Sequence, residues 1–120
     1  MMKELDGRLV LELVPALLQR VAEFHPFRPG VEIATLYEEP TGSSAALLRY
    51  AAGAEVPWHR HTGYEHIFVL EGEQEDDHGS YAAGSFVVNA PGTEHRVRSP
   101  SGCLALLIWQ KPVVFLASVS

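Results

Sequence analysis

The sequence predicts an all-β domain, a sandwich or closed barrel of short strands, and two observations carry that reading. From Val31 onward the chain breaks into apolar-rich runs of about five to eight residues, each bounded by glycine or proline turn chemistry. Between these runs no stretch has the length and periodicity of a globular helix. The length of 120 residues sets the scale: one domain that buries a core without disulfides or a structural zinc.

Taken in order, residues 1–30 read as an N-terminal arm. Leu9, Val10, Leu13, Leu17, Leu18 and Val21 recur near helical spacing with Pro15 inside the pattern. A short helix is expected to start near Pro15, because proline is tolerated in a first turn and breaks a helix further in. The preceding GRLVLELV fits a strand or a helix equally, since the two periods cannot be separated over so few residues. HPFRPG at 25–30 is punctuation before a β-barrel domain over 31–120. VEIATLYE is the first barrel strand, with Val31, Ile33, Thr35 and Tyr37 on one face and Glu32, Ala34, Leu36 and Glu38 on the other. After the turn PTGSS come AALLRYA, HIFVLEG, SFVVNAP, HRVRS and CLALLIWQK, separated by AAGAEVP, EDDHGSYAAG, PGTE and SPSG. In the last run Leu104, Leu106 and Ile108 alternate with Ala105, Leu107 and Trp109, so both faces are apolar. One face is expected inside and the other against a partner sheet or a second subunit, with a homodimer as the expected assembly.

Composition excludes several classes. A net charge of −6 argues against nucleic-acid binding, which relies on clustered Lys and Arg. The single cysteine, Cys103, cannot form an internal disulfide, and no leader precedes the arm, so a cytoplasmic protein is expected. The apolar run around Leu104 to Ile108 is far shorter than the roughly 20 residues that span a bilayer, and no membrane partner is expected.

Chemistry concentrates in the middle of the chain. His59-Arg60-His61 places two imidazoles at i and i+2, which on a strand share a face with Cβ atoms roughly 6 to 7 Å apart, close enough to meet at one ion. Imidazole nitrogens with a carboxylate oxygen suit zinc, iron, manganese, nickel or cobalt better than calcium. Glu65 supplies the carboxylate; Gly63 lets the chain turn so that Glu65 returns from the start of the next strand. His95 arrives from a later hairpin after PGTE. His66 falls on the opposite face from Glu65, and His25 and His78 read as solvated loop residues. Cys103 has no basic neighbour and reads as an inert buried hydrophobe. Glu73, Glu75, Asp76 and Asp77 read as a solvated acidic face, and Arg49, Arg96 and Arg98 as arginines pointing outward. Ile67 and Val69 share a face with Glu65, and with Phe86 and Val88 they are candidates to wall an apolar pocket for a small organic molecule. No Ser, Lys or Cys nucleophile stands beside a base.

A wider frame surrounds the four residues. Gly53 is followed by His59 after five residues, His61 after one, Glu65 after three and Gly72 after six. Gly84 stands eight positions before Gly92, and His95 three beyond it. This pattern resembles the two motifs of the cupin superfamily, and residues 31–110 resemble its ChrR type through FRPGVEIATLY, LLRYAAGAEVPWHRHTGYEHIFVLEGE, DDHGSYAAGSFVVNAPGTEH and SGC. Two positions depart from the second motif: its proline is displaced to Pro91 with Ala90 in the usual place, and Ser99 stands where the motif ends in Asn. The resemblance implies an RmlC-like double-stranded β-helix, or jelly-roll barrel. It also implies one divalent metal ion, zinc or iron first and manganese or nickel next, held by His59, His61, Glu65 and His95. It implies a domain that binds a small organic molecule in a sensory or regulatory role, or an Fe(II)-dependent dioxygenase for a diketone or hydroxyketone, or a structural ion alone. Sigma-factor binding is not expected, because only about 30 residues stand where the anti-sigma factor of this type carries a helical domain.

Overall fold

Strands form where apolar residues alternate, and the chain reverses at its glycines. The computed structural model describes residues 2–5 and 7–116; Met1, Asp6 and residues 117–120, which belong to the expected arm and barrel ranges, lie outside the described residues. In chain order the elements are β1 (Met2–Leu5), β2 (Arg8–Leu11), α1 (Pro15–Val21), β3 (His25–Arg28), β4 (Val31–Glu38), β5 (Ser44–Tyr50), β6 (Ala54–Arg60), β7 (Glu65–Asp76), β8 (Gly79–Ala82), β9 (Phe86–Asn89), β10 (Glu94–Ser99), β11 (Cys103–Trp109) and β12 (Val114–Phe115). No described helix is long and apolar enough to cross a membrane.

Strands β1 and β2 pair only with each other, and the other ten form one antiparallel sheet along the path β12-β6-β10-β7-β11-β5-β4-β3, with β8 and β9 attached to β7. The sheet curls into two layers of a jelly roll because β7 belongs to both. Its first residues, Glu65–Phe68, pair with β9 and β11, while Glu73–Asp76 pair with β8, and Glu75 also meets Arg98 of β10. The bend between the halves falls at Gly72, at φ +76, where a Cβ would collide with the carbonyl oxygen of Gly102. Only glycine takes that conformation in that space. Ser99, the departure from the motif's asparagine, is fully buried, and its hydroxyl donates to the Glu73 carbonyl at 2.6 Å, tying the end of β10 to the same strand.

Between the layers lies a core that includes Val31, Leu48, Val56, Ile67, Val97 and Leu107. A second cluster sits outside the sheet, where Leu18 of α1 packs on Ala34, Leu47 and Leu104. The helix begins at Pro15, as the sequence predicts, and the segment before it is a strand over Arg8–Leu11. Both faces of β11 are indeed apolar, and the chain's own helix covers the outer one at Leu104; Ile108, further along, is 38% exposed.

Several expectations need correcting. HPFRPG contains a strand, β3, that pairs with β4 before the turn at Gly30. AAGAEVP and EDDHGSYAAG likewise contribute residues to β6, β7 and β8. Tyr37 does not share the face of Val31. The register shifts between Thr35 and Tyr37, so Thr35 pairs with Ala46 but Tyr37 with Ala45, and the bulge turns Tyr37 outward to 44% exposure. On β9 the phase is reversed: Val87 and Asn89 pair with the inward Ile67 and Glu65, while Phe86 and Val88 are exposed and wall no interior pocket.

Candidate metal centre

Each of the four expected residues comes from a different place in the sheet, and all four are buried, 1–3% exposed. His59 on β6 and His95 on β10 are directly opposed in the antiparallel register, so their side chains share the inner face with ring centroids 4.6 Å apart. His61 follows β6 directly, and its backbone is bonded to the turn before β10: His61 N–H donates to Thr93 O at 2.9 Å, and Gly92 N–H donates to His61 O at 2.7 Å. That turn, with Gly92 at φ +89, brings the two motifs together. Glu65 opens β7. The chain bends at Gly63 as expected, without a positive φ, and its missing Cβ leaves room for Gln110 and Lys111, whose atoms would lie 3.1 Å from one.

The three rings stand at 74° to 87° to one another, with centroids 4.6 to 5.1 Å apart. One ligand atom from each of the four residues lies within 4.8 Å of all the others. Opposite donors around an ion with bonds of about 2.1–2.2 Å are about 4.2–4.4 Å apart, so a contraction of a few tenths of an ångström completes a coordination sphere.

Hydrogen bonds on the far side of each ring decide what it presents to the centre. His59 Nδ1 is 2.8 Å from Pro57 O, a carbonyl that only accepts. His61 Nδ1 is 2.9 Å from Thr93 Oγ1, whose own proton goes to Ala90 O at 2.6 Å, so this oxygen too must accept. His95 Nδ1 is 3.3 Å from the Asp76 carboxylate. Each Nδ1 is therefore assigned the proton, which leaves three Nε2 lone pairs directed inward.

Glu65 is fixed from behind as well. Trp109 Nε1–H donates to Oε2 at 2.7 Å and Asn89 Nδ2–H to Oε1 at 3.1 Å. His61 Nε2 lies 3.0 Å and His95 Nε2 3.7 Å from Oε1, yet neither nitrogen has a hydrogen-bond partner, because a neutral ring protonated at Nδ1 has no second proton to donate. Lone pairs and a carboxylate crowded together in a buried space repel one another, and a divalent ion between them fits. Burial pushes His59 and His95 below the ordinary histidine pKa. For Glu65 burial acts upward, and positive charge carried by the adjoining His61 and His95, together with the Trp109 N–H, outweighs it and holds the carboxyl below its usual range. The group could hold a metal ion, and burial favours the neutral forms of His59 and His95 that coordination requires.

The remaining residues sort themselves by position. His66 faces outward near Tyr64 and Phe86, and His78 is solvated. His25 is exposed but lies on β3 rather than in a loop. Cys103 is buried, and desolvation raises its pKa. Arg49 and Arg98 pair with Glu32 and Glu75 outside the barrel. Asp76 is the correction. It is no part of a solvated face: its side chain is 6% exposed, and besides His95 it accepts from His78 N–H, Gly79 N–H and Tyr81 O–H at 2.8 to 3.1 Å. Thr93, Asn89 and Trp109 were also not singled out by sequence. Trp109 carried one signal, the inward phase it shares with Ala105 and Leu107; nothing in the sequence marks the other two.

Beside the four residues lies a cavity of about 30 Å³, room for a water molecule, with Phe27, Ile67, Val113 and Phe115 among its lining residues.

A curled antiparallel jelly roll with a buried His₃Glu cluster on its inner face defines a cupin barrel. The profile of the ChrR Cupin-like domain family matches residues 17–113, and the chain belongs to that family. No curated protein matches it. Among solved structures, an RmlC-like cupin protein from Ralstonia eutropha is similar with a TM-score of 0.74 and 24% identity over 81% of this chain and 68% of that one. An acetylacetone dioxygenase from Acinetobacter johnsonii has a TM-score of 0.74 and 22% identity over 79% of this chain and 72% of that one. The complex of SigE with the anti-sigma ChrR from Rhodobacter sphaeroides contains a chain with a TM-score of 0.69 and 26% identity over 78% of this chain; the match spans 54% of that chain.

Proposed function

We propose that the protein holds one divalent metal ion through His59 Nε2, His61 Nε2, His95 Nε2 and the Glu65 carboxylate, and binds a small oxygen-chelating molecule there. The observation that supports this is the set of three Nδ1 contacts, to Pro57 O, Thr93 Oγ1 and Asp76 Oδ2, that leave each ring's Nε2 free to coordinate, with those of His61 and His95 within 4 Å of Glu65. A purely structural ion would need no vacant positions. Four protein donors would leave two positions of a six-coordinate ion, and a cavity is lined in part by His59, Glu65 and His95. What a divalent ion would supply is Lewis acidity toward chelating oxygens and, with iron, redox chemistry with dioxygen. Three neutral imidazoles and one carboxylate leave such an ion a net charge of about +1, which favours an anionic or readily ionised ligand. Binding without turnover, in a sensory or regulatory role, is the primary reading. Dioxygenation of a diketone or hydroxyketone is the second, favoured by the likeness to the acetylacetone dioxygenase over most of the barrel.

The test is the metal content of protein purified without added metal, followed by oxygen uptake with Fe(II) and a panel of small diketones. Iron near one per chain with substrate-dependent uptake would make the oxygenase primary, and zinc without uptake would support the binding role. No metal in the wild type, with added metal binding unchanged in His59→Ala, would refute the centre.

A further inference from the structure

Among the described residues the curled sheet does not close by strand pairing. Its path begins at β12 and ends at β3, so these two strands are the free edges of the main sheet. Side chains from both edges line the cavity beside the four-residue cluster: Phe27 from β3 and Phe115 from β12.

A bulge determines what β3 contributes. Pro26 pairs with Glu32 and Arg28 with Val31, so the register slips at Phe27. Partners opposed in an antiparallel ladder share a face, and Val31 belongs to the inner core. Arg28 is thereby aimed inward rather than to solvent. Its guanidinium carbon stands 3.8 Å from the centre of the Phe115 ring. Phe115 in turn is paired with His59 across the β12–β6 ladder, with ring centroids 5.7 Å apart. One aromatic ring thus separates a cation from a proposed metal ligand. The Arg28 Nε–H is buried and has no acceptor. A buried guanidinium donor without an acceptor is costly unless something else supplies one.

The strand that carries Phe115 is the shortest in the sheet: among the described residues β12 is two residues long and pairs on one side. Firm anchors lie before and after it: Thr62 Oγ1–H donates to Pro112 O at 2.6 Å, and Leu116 N–H donates to Trp58 O at 3.0 Å. The cavity of about 30 Å³ admits water but is about a tenth of what a bound organic molecule needs, so entry requires a side chain to leave.

We propose that the seam between β3 and β12 is the ligand entrance, that Phe115 is a plug occupying part of the ligand's place, and that Arg28 recognises an anionic oxygen chelator, a carboxylate or an enolate, once Phe115 swings out. This rests on the metal-centre reading above. An ion of net charge about +1 and a guanidinium stacked on the far face of the Phe115 ring, which itself packs on His59, together favour a ligand with one or two negative charges, one end chelating and the other accepting from Arg28.

The experiment uses the full chain loaded with Co(II), with oxalate as the anionic probe and imidazole as the neutral one, each followed by the visible spectrum of the cobalt and by stopped flow. Phe115→Ala and the milder Phe115→Leu should speed oxalate binding by about tenfold or more. Arg28→Met and Arg28→Gln should weaken oxalate by about ten- to a hundredfold, the scale of a hydrogen bond to a charged group, and leave imidazole unchanged. Oxalate affinity within twofold of wild type in both Arg28 variants, or unchanged association rates in both Phe115 variants, would overturn the proposal while leaving the metal centre standing. A wild-type chain that binds no Co(II) would overturn both.

Discussion

Replacing Asp76 by Asn tests whether the outer hydrogen bonds set the metal donors. The carboxylate now accepts on both oxygens, Oδ2 from His95 Nδ1 and Oδ1 from His78 N–H, Gly79 N–H and Tyr81 O–H. An amide can accept on one side only. If its oxygen keeps the three donors of the turn, its NH₂ faces His95, which must then accept at Nδ1 and carry its proton on Nε2, where it blocks coordination. If its oxygen turns to His95, the three other donors face an NH₂ group. Losing an outer partner of a ligating histidine typically costs 10- to 100-fold in metal affinity, about 1.4 to 2.7 kcal/mol. Competition titration of Zn(II) or Co(II) against a chromophoric chelator measures this, with thermal melting of the metal-free protein as the control for folding. The neighbouring Asp77→Asn is the contrast: the Asp77 side chain is 41% exposed, pairs with the solvated His78, and its replacement should leave affinity within a factor of about two. Equal affinity in the two variants, with both fully folded, would refute the assignment of proton positions on which the centre rests.

Three further outcomes follow from the same geometry. Trp109→Phe removes the donor to Glu65 Oε2 and should destabilise the metal-free protein by about 1.5 to 3 kcal/mol, measured by urea unfolding. Leu18→Ala empties the contact of α1 with Leu47 and Leu104 and should cost about 2 to 5 kcal/mol, yet metal affinity measured on the folded fraction should not change, because the helix packs on the outer face. The metal-free protein should lose stability on acidification. Burial lowers the folded pKa of His59 and His95 below 6.5, so the unfolded chain binds more protons below that pH. The loss therefore starts as pH falls through about 6.5 and continues down to the folded values, with a slope of at most about 1.4 kcal/mol per pH unit for each histidine. Unfolding midpoints that stay flat between pH 7 and 5 would contradict this.

The four-residue cluster was legible because most of its information is local: two imidazoles at i and i+2, a carboxylate four residues on, and glycines at fixed distances that permit the turns between them and lead to His95. The strands were legible from alternation and punctuation. What the sequence concealed depends on register. Tyr37 and Arg28 each lie next to a bulge, and one extra residue on one strand reverses the face of everything beyond it. Phe86 and Val88 were assigned inward because the apolar members of an alternating pair are expected there, whereas the inward position opposite Glu65 belongs to polar Asn89, which bonds its carboxylate. Asp76 sits in a run of acids that composition cannot tell apart, and only the turn to β8 selects the one that meets His95.

The bend in β7 has a mechanical side. Twelve residues of straight strand would separate Glu65 from Asp76 by about 36 Å, yet one imidazole, that of His95, touches both, 3.7 Å from Glu65 at Nε2 and 3.3 Å from Asp76 at Nδ1. The strand is thus a loop of belt with His95 at the buckle, and an ion bound at Nε2 would fasten it. Metal loading should then act as a cross-link between the two layers and slow spontaneous opening, as a disulfide across the same loop would. The corresponding signature is slower amide exchange along Glu65–Asp76 and β10, with the distant β1–β2 hairpin exchanging at the same rate with or without metal.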